Sequence, residues 1–241
     1  QLKEVFEPQL KEEDLMELFQ TMEMPLVSVL AKMEREGINL DVEGLAVFSK
    51  ELEESVVKIQ QEIFDLAGME FNIASPKQMG EVVFDHLELD AKAKKTKTGQ
   101  YSTSEDVLSK LADKHEIISK ILDFRSLQKL RSTYVDALPA LTNPKTKHIH
   151  TSFNQAVAAT GRLSSNNPNL QNIPIRTEKG KEVRKAFIAR DEDHVLLAAD
   201  YSQVELRLIA EMSGDSVMKE AFQQGLDIHA ATASKVFEVP L

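Results

Sequence analysis

An α+β fold is predicted, with a helical lobe over about the first 145 residues and a partial antiparallel sheet with helices after it. Three observations predict it. Apolar residues recur at three-and-four spacing through residues 11–66, the period of helices with one buried face. After Pro144 the texture changes to short alternating stretches and turn formers. Near the end an apolar run, "LLAAD", stops at Asp200 and gives way at once to a helical pattern, "VELRLIAEM".

The first helical run covers residues 11–36, where Leu15, Leu18, Phe19, Met22, Leu26, Leu30 and Met33 predict one buried face. Pro25 is expected to kink or split it. Gly37 reads as its C-cap. Asp41 reads as the N-cap of a long helix carrying Leu45, Phe48, Leu52, Val56, Ile59, Ile63 and Leu66, closed by Gly68. Ser75 followed by Pro76 opens another helix. Residues 90–107 are rich in lysine and threonine with no apolar period, which predicts a flexible tip, and "TSED" restarts a helix. A helix over about 116–138 places Leu127, Leu130, Tyr134 and Leu138 on an apolar side. Arg125, Gln128, Lys129 and Ser132 share another face.

Beyond Pro144, "HIHTSFNQAVAA" alternates like strands and suggests a hairpin; that alternation accounts for His148 and His150 better than a metal site does. Residues 160–176, "TGRLSSNNPNLQNIPIR", consist mostly of turn formers, amides and hydroxyls, a loop too long and polar for a mere connector. "RKAFIARDEDHVLLAAD" reads as two strands around a turn at 191–194, and "DIHAATASKVF" as a helix.

The chain lacks cysteine, which excludes disulfides and thiolate metal sites. No apolar run reaches membrane-spanning length, so no membrane partner is expected. The net charge of −10 hides a segregation. Residues 92–185 hold 18 Lys and Arg against 8 Asp and Glu, and the remainder holds 11 against 31. A basic middle between acidic ends fits a polyanion partner, although a solvated face is the plainer alternative for the helical stripe alone. The start at Gln1 and the stop at Leu241 read as a piece of a longer protein.

Asp200 admits two readings. Asp-Tyr-Ser-Gln has the form of a capping box, from Asp200 to Gln203. A carboxylate held at a strand end also suits Mg²⁺, a hard cation that takes oxygen ligands. Two-metal phosphoryl transfer needs a further carboxylate, which spacing does not identify.

Here "DYSQVELR" resembles motif A of the family A DNA polymerases, the bacterial polymerase I type. "TGRLSSNNPNLQNIP" is similar to the template-and-primer contact segment of that family. "KTKTGQYSTSEDVL" and "RSLQKLRSTYVDALP" resemble its thumb, and "GLDIHAATASKVFEVP" the start of its fingers. The resemblance implies a truncated right-hand architecture: a connecting segment and thumb start at 1–40, thumb at 41–145, partial palm at 146–215 and fingers from 216. It implies that Asp200 is one of two catalytic metal-binding carboxylates, with the Tyr201 carbonyl as a further Mg²⁺ ligand. Tyr201, Ser202, Gln203, Glu205 and His229 would meet the incoming dNTP, Glu205 as the gate against a ribose 2′-hydroxyl. Arg162 would read the minor groove at the primer end. Asn169, Gln171 and Asn172 would contact primer-template DNA near the terminus, and Arg125, Lys129, Arg131 and Arg176 would bind phosphates.

Two family features do not follow His229 in this sequence, an Arg-x3-Lys helix and a His-Asp-Glu turn. The implied activity is template-directed DNA synthesis in replication or repair, in the bacterial cytoplasm at the nucleoid, by a chain that does not polymerise alone. Self-association through exposed palm surface is expected. A single-subunit RNA polymerase is disfavoured by Glu205. A non-catalytic DNA-binding module derived from thumb and palm is the alternative.

Overall fold

The computed structural model describes residues 1–96, 99–175, 177–238 and 240. They form two compact units, residues 1–195 and 196–241. The first unit is built on two helices, α4 (Val42–Ala67) and α7 (Glu116–Leu130). The Asp41 carboxylate accepts from the Gly44 amide at 2.9 Å, which starts α4 as its capping residue predicts. Gly68 ends it in the left-handed conformation, where a Cβ would be penalised. Leu45, Leu52, Val56 and Ile63 of α4 are buried against Ile117, Ile118, Ile121 and Phe124 of α7. Each such side chain contributes about 1.5–3 kcal/mol on burial. α5 (Pro76–Gly80) follows the Ser75 cap and continues into a π-helical turn, Glu81–His86, which adds Val82, Val83 and Phe84 to the same core. α6 (Glu105–Ser109) seats Leu108. α7 runs into a second π turn, Arg131–Val135, and then α8 (Ala137–Ala140).

The expected flexible tip carries local structure. Lys95 and Tyr101 form an antiparallel bridge, the Tyr101 ring lies 4.8 Å from that of Phe84, and its hydroxyl donates to Asp85 at 2.6 Å. The amphipathic reading of 11–36 is corrected in two respects. The helices are α1 (Leu2–Glu12), α2 (Met16–Leu18) and α3 (Met24–Glu36), with a π turn at Phe19–Glu23 directly before α3. Pro25 therefore lies inside continuous helix, directly after the π turn, a place where the regular i to i−4 ladder is already interrupted. Of the predicted buried face only Leu30 is buried; Leu15, Leu18, Phe19, Met22 and Met33 are exposed. Periodicity marks a face that suits burial but does not supply the surface that covers it.

The strands are short and pair across long stretches of sequence. β1 (Ile38–Leu40) lies between β2 (His148–Ile149) and β5 (Phe187–Ile188), antiparallel to both, with Ile38 opposite Ile149 and Leu40 opposite Phe187. Gly37 makes the approach possible: a Cβ there would lie 2.6 Å from the Ile149 carbonyl. The expected hairpin within 148–159 does not form. Instead β3 (Ser152–Asn154) pairs with β4 (Ser164–Asn166), inside the segment read as mostly turn formers. His148 and His150 donate from Nδ1 to the Glu36 and Glu34 carbonyls, both at 2.8 Å, and so tie down the last turn of α3. α9 (Glu178–Lys185), missed in the sequence, precedes β5.

In the second unit, α10 (Val204–Ser213), α11 (Ser216–Gln223) and α12 (Ile228–Phe237) follow a segment without regular structure. The strand expected to end at Asp200 is absent. Residues 195–200 are exposed and pair with no strand among the described residues. An apolar run becomes a strand only where an edge accepts its backbone hydrogen bonds. No described helix is long and apolar enough to cross a membrane.

Candidate nucleic-acid and nucleotide sites

In the first unit the amide-rich loop is a platform held by its own hydrogen bonds. Ser165 is fully buried, and its hydroxyl meets that of Thr151 at 2.6 Å, accepts from the Leu170 amide at 3.1 Å and donates to the Pro168 carbonyl at 3.2 Å. Asn169 caps a 3-10 turn, Leu170–Asn172, by accepting from the Gln171 amide at 3.0 Å. Gln171 accepts from the Ser165 amide at 3.1 Å and donates to the Leu163 carbonyl at 3.0 Å. Two of the three predicted contact amides therefore also build the loop. Leu170 and Ile173 pack on the core, and the Tyr134 hydroxyl donates to the Asn172 carbonyl at 2.5 Å. Gly180 lets α9 close on this loop, since a Cβ there would lie 2.7 Å from the Pro174 Cβ.

Beside the platform is a groove of about 530 Å³ lined by Lys129, Tyr134, Asn172 and Lys179, among others. It brings together Lys129 and Asn172, two residues predicted from sequence. Asp123 and Glu178 line it too, so its charge is mixed. Arg162 is exposed at the other end of the loop. Arg176 lies outside the described residues.

The other two arginines of the expected phosphate set are engaged within the fold. Arg125 donates to the Thr103 carbonyl, to the Thr103 hydroxyl at 3.1 Å and to the Met79 sulfur at 2.9 Å. Its burial lowers the guanidinium pKa, because the charged form loses hydration. Arg131 lies 3.3 Å from both Glu53 and Asp136. Part of the basic excess at 92–185 is likewise internal, as in the Lys120–Glu62 pair at 2.6 Å.

In the second unit, Asp200 and Ser202 are exposed, and so is Tyr201, at 83%. The capping-box reading of Asp200 is corrected: the N-cap of α10 is Gln203, three residues later, with φ 54. A left-handed non-glycine residue costs of order 1–3 kcal/mol and persists only where its surroundings hold it. Arg207 does so here. The Arg207 Nε donates to the Ser202 carbonyl at 3.0 Å, and its guanidinium lies 4.5 Å above the Phe222 ring of α11. Asp227 caps α12, accepting from the His229 amide at 2.7 Å and the Ala230 amide at 3.1 Å. These amides, foremost that of Ala230, hold the Asp227 carboxyl below the ordinary aspartate range. Arg207 thus ties the turn before α10 to α11, while Asp227 starts the helix that carries exposed His229. Arg207 and Asp227 were not singled out as site residues from sequence, where each lies within or beside a stretch read simply as helix.

Asp200 and the Tyr201 carbonyl are oxygen donors of the kind Mg²⁺ takes, but no group of three His, Cys, Asp or Glu that could hold a metal occurs among the described residues. The donor set in this chain does not by itself make a metal site.

The fold matches part of a polymerase domain. A solved structure described as the POL domain of Pol1 from M. smegmatis, in complex with DNA primer-template and dNTP, is 41% identical. It matches with a TM-score of 0.85 over 97% of this chain and 41% of that one. The chain belongs to DNA polymerase family A, whose model matches residues 42–241. It is 53% identical to DNA polymerase I of Pseudomonas aeruginosa over 91% of its own length and 24% of that protein. It is 51% identical to the thermostable DNA polymerase I of Thermus aquaticus, covering 95% of this chain and 27% of that one. The chain spans about a quarter of the length of the curated relatives it matches.

Proposed function

We propose that this chain is the thumb, the first part of the palm and the start of the fingers of a template-directed DNA polymerase. In this reading it holds primer-template DNA and supplies one of the two catalytic carboxylates. The observation that carries it is the match, at 41% identity, to a polymerase domain described with primer-template and dNTP. The platform at 164–172 meets DNA at the primer terminus through Asn169, Gln171 and Asn172, with Arg162 in the minor groove. Lys129 and Arg176 hold phosphates, while Arg125 and Arg131 chiefly hold the lobe together. In the second unit Asp200 and the Tyr201 carbonyl face the metal side, Ser202, Gln203 and Glu205 the sugar, and His229 the triphosphate. Mg²⁺, when bound, would supply charge neutralisation and a polarised nucleophile, held by Asp200 together with a second carboxylate. In this reading the chain alone does not synthesise DNA. It works in the bacterial cytoplasm at the nucleoid.

The test is fluorescence anisotropy with a labelled primer-template at several salt concentrations. The expected result is binding that weakens with salt by about 0.9 log units per log unit for each phosphate contact. A flat titration removes the electrostatic part of the proposal. The chain alone is also expected to self-associate, because Val195, Leu197 and Met212 are each at least 87% exposed. A monodisperse monomer in light scattering contradicts that.

A further inference from the structure

The platform is pegged to the helical lobe by one polar group. The Tyr134 ring is buried, with 8% exposure, and its hydroxyl reaches the Asn172 carbonyl at 2.5 Å across 38 residues of sequence. Asn172 closes the 3-10 turn whose other end is capped by Asn169 and whose middle residue is Gln171. The Ser165 network fixes the start of this turn, and Leu170 and Ile173 seat it on apolar core. At the Asn172 peptide the directional constraint is the Tyr134 hydroxyl. Tyr134 itself is held in the π turn that ends α7, one turn from Lys129 on the groove wall. π turns recur at functional places because the extra residue redirects a side chain.

We propose that Tyr134 is a positioning residue for the primer-end platform. Its hydroxyl fixes the Asn172 peptide, so that Asn169, Gln171 and Asn172 present one preorganised set of amides to a recessed primer end. The inference rests on the reading that this platform meets DNA. Preorganisation matters because a loop that must order on binding loses affinity for the ligand that needs its geometry. Duplex held only through phosphates does not need it.

The experiment is Tyr134→Phe in the 241-residue chain, which keeps the ring and removes the bond. Anisotropy is measured on a recessed primer-template and on blunt duplex, at two salt concentrations, with circular dichroism as the check on folding. Ile121→Val, a small loss in the fully buried core of α7, serves as the control for general softening. The expected result is a five- to tenfold weaker Kd for the recessed end, a change within about twofold for blunt duplex, and an unaltered salt slope, because no cation is lost. Ile121→Val leaves the ratio of the two affinities unchanged. Equal effects on both DNAs, no effect on either, or the same pattern in Ile121→Val each overturn the assignment. If the unmodified chain does not distinguish the two DNAs, the reading of the platform fails and takes the inference with it. If Tyr134→Phe does not fold, amide exchange in the unmodified chain decides: Gln171–Ile173 must already be protected before DNA is added, and exchange as fast as in exposed loops refutes the proposal.

Discussion

Replacing Arg125 with alanine separates two roles that sequence assigns to one residue. A phosphate-binding arginine would be dispensable for folding, whereas here the guanidinium is committed to Thr103 and Met79. Thr103 is 7% exposed, so truncation leaves its carbonyl and hydroxyl without their partner. Each group left unsatisfied costs about 1–3 kcal/mol, so the two together come to about 2–6 kcal/mol before the packed stem is counted. With a urea dependence of about 3 kcal/mol per molar, the midpoint falls by about 0.7–2 M. The assay is urea unfolding followed by far-UV circular dichroism, with primer-template anisotropy on the same samples in native buffer. The expected result is the midpoint shift, a Kd within about twofold and an unchanged salt slope. A midpoint shift below about 0.2 M, with the slope reduced by about 0.9, would refute the structural role and restore Arg125 as a phosphate ligand.

Three further outcomes follow from the same geometry. Lys129→Ala weakens all DNA sequences alike and lowers the salt slope by about 0.9, read from paired anisotropy titrations; a sequence-dependent loss would show that it reads bases instead. Gly180→Ala pushes on Pro174 and destabilises the first unit by about 1–3 kcal/mol in urea unfolding; a neutral result would mean that α9 is not tightly seated on the loop. Asp227 has its carboxyl held below the ordinary aspartate range of about 3.9 by the α12 amides. Its contribution is therefore complete above that value and is lost as pH falls through the lower folded pKa. Protection of the His229 and Ala230 amides, taken as exchange relative to the intrinsic rate at each pH, should fall once pH drops below the ordinary aspartate range in the unmodified chain and show no such step in Asp227→Asn.

Much of the helical lobe was legible because its signals are local. Asp41, Gly68, Ser75 and the spacing from Leu45 to Leu66 each act within a few residues, and the structure places α4 and α5 there. The sheets were not legible, because β1 is three residues long and finds its partners at 148–149 and 187–188, far away in sequence. Nor were the internal duties of Arg125 and Arg131, since a charged helix face looks the same whether it meets solvent, DNA or another segment of the lobe. The turn at 200–203 illustrates both. Its residues were visible as a motif, while its left-handed Gln203 and its support, Arg207, appear only once α10 and α11 are assembled.

The central claim is that this chain holds primer-template DNA and carries one carboxylate of an incomplete catalytic set. One sample tests it directly: a labelled primer on a recessed template, with Mg²⁺, dNTPs and the 241-residue chain, read first by anisotropy and then by gel, beside Asp200→Ala. The account predicts that the DNA is bound by both proteins and that the primer grows with neither. A primer that lengthens with the unmodified chain and not with Asp200→Ala would show the catalytic set to be complete here, and DNA left unbound by both would contradict the account altogether.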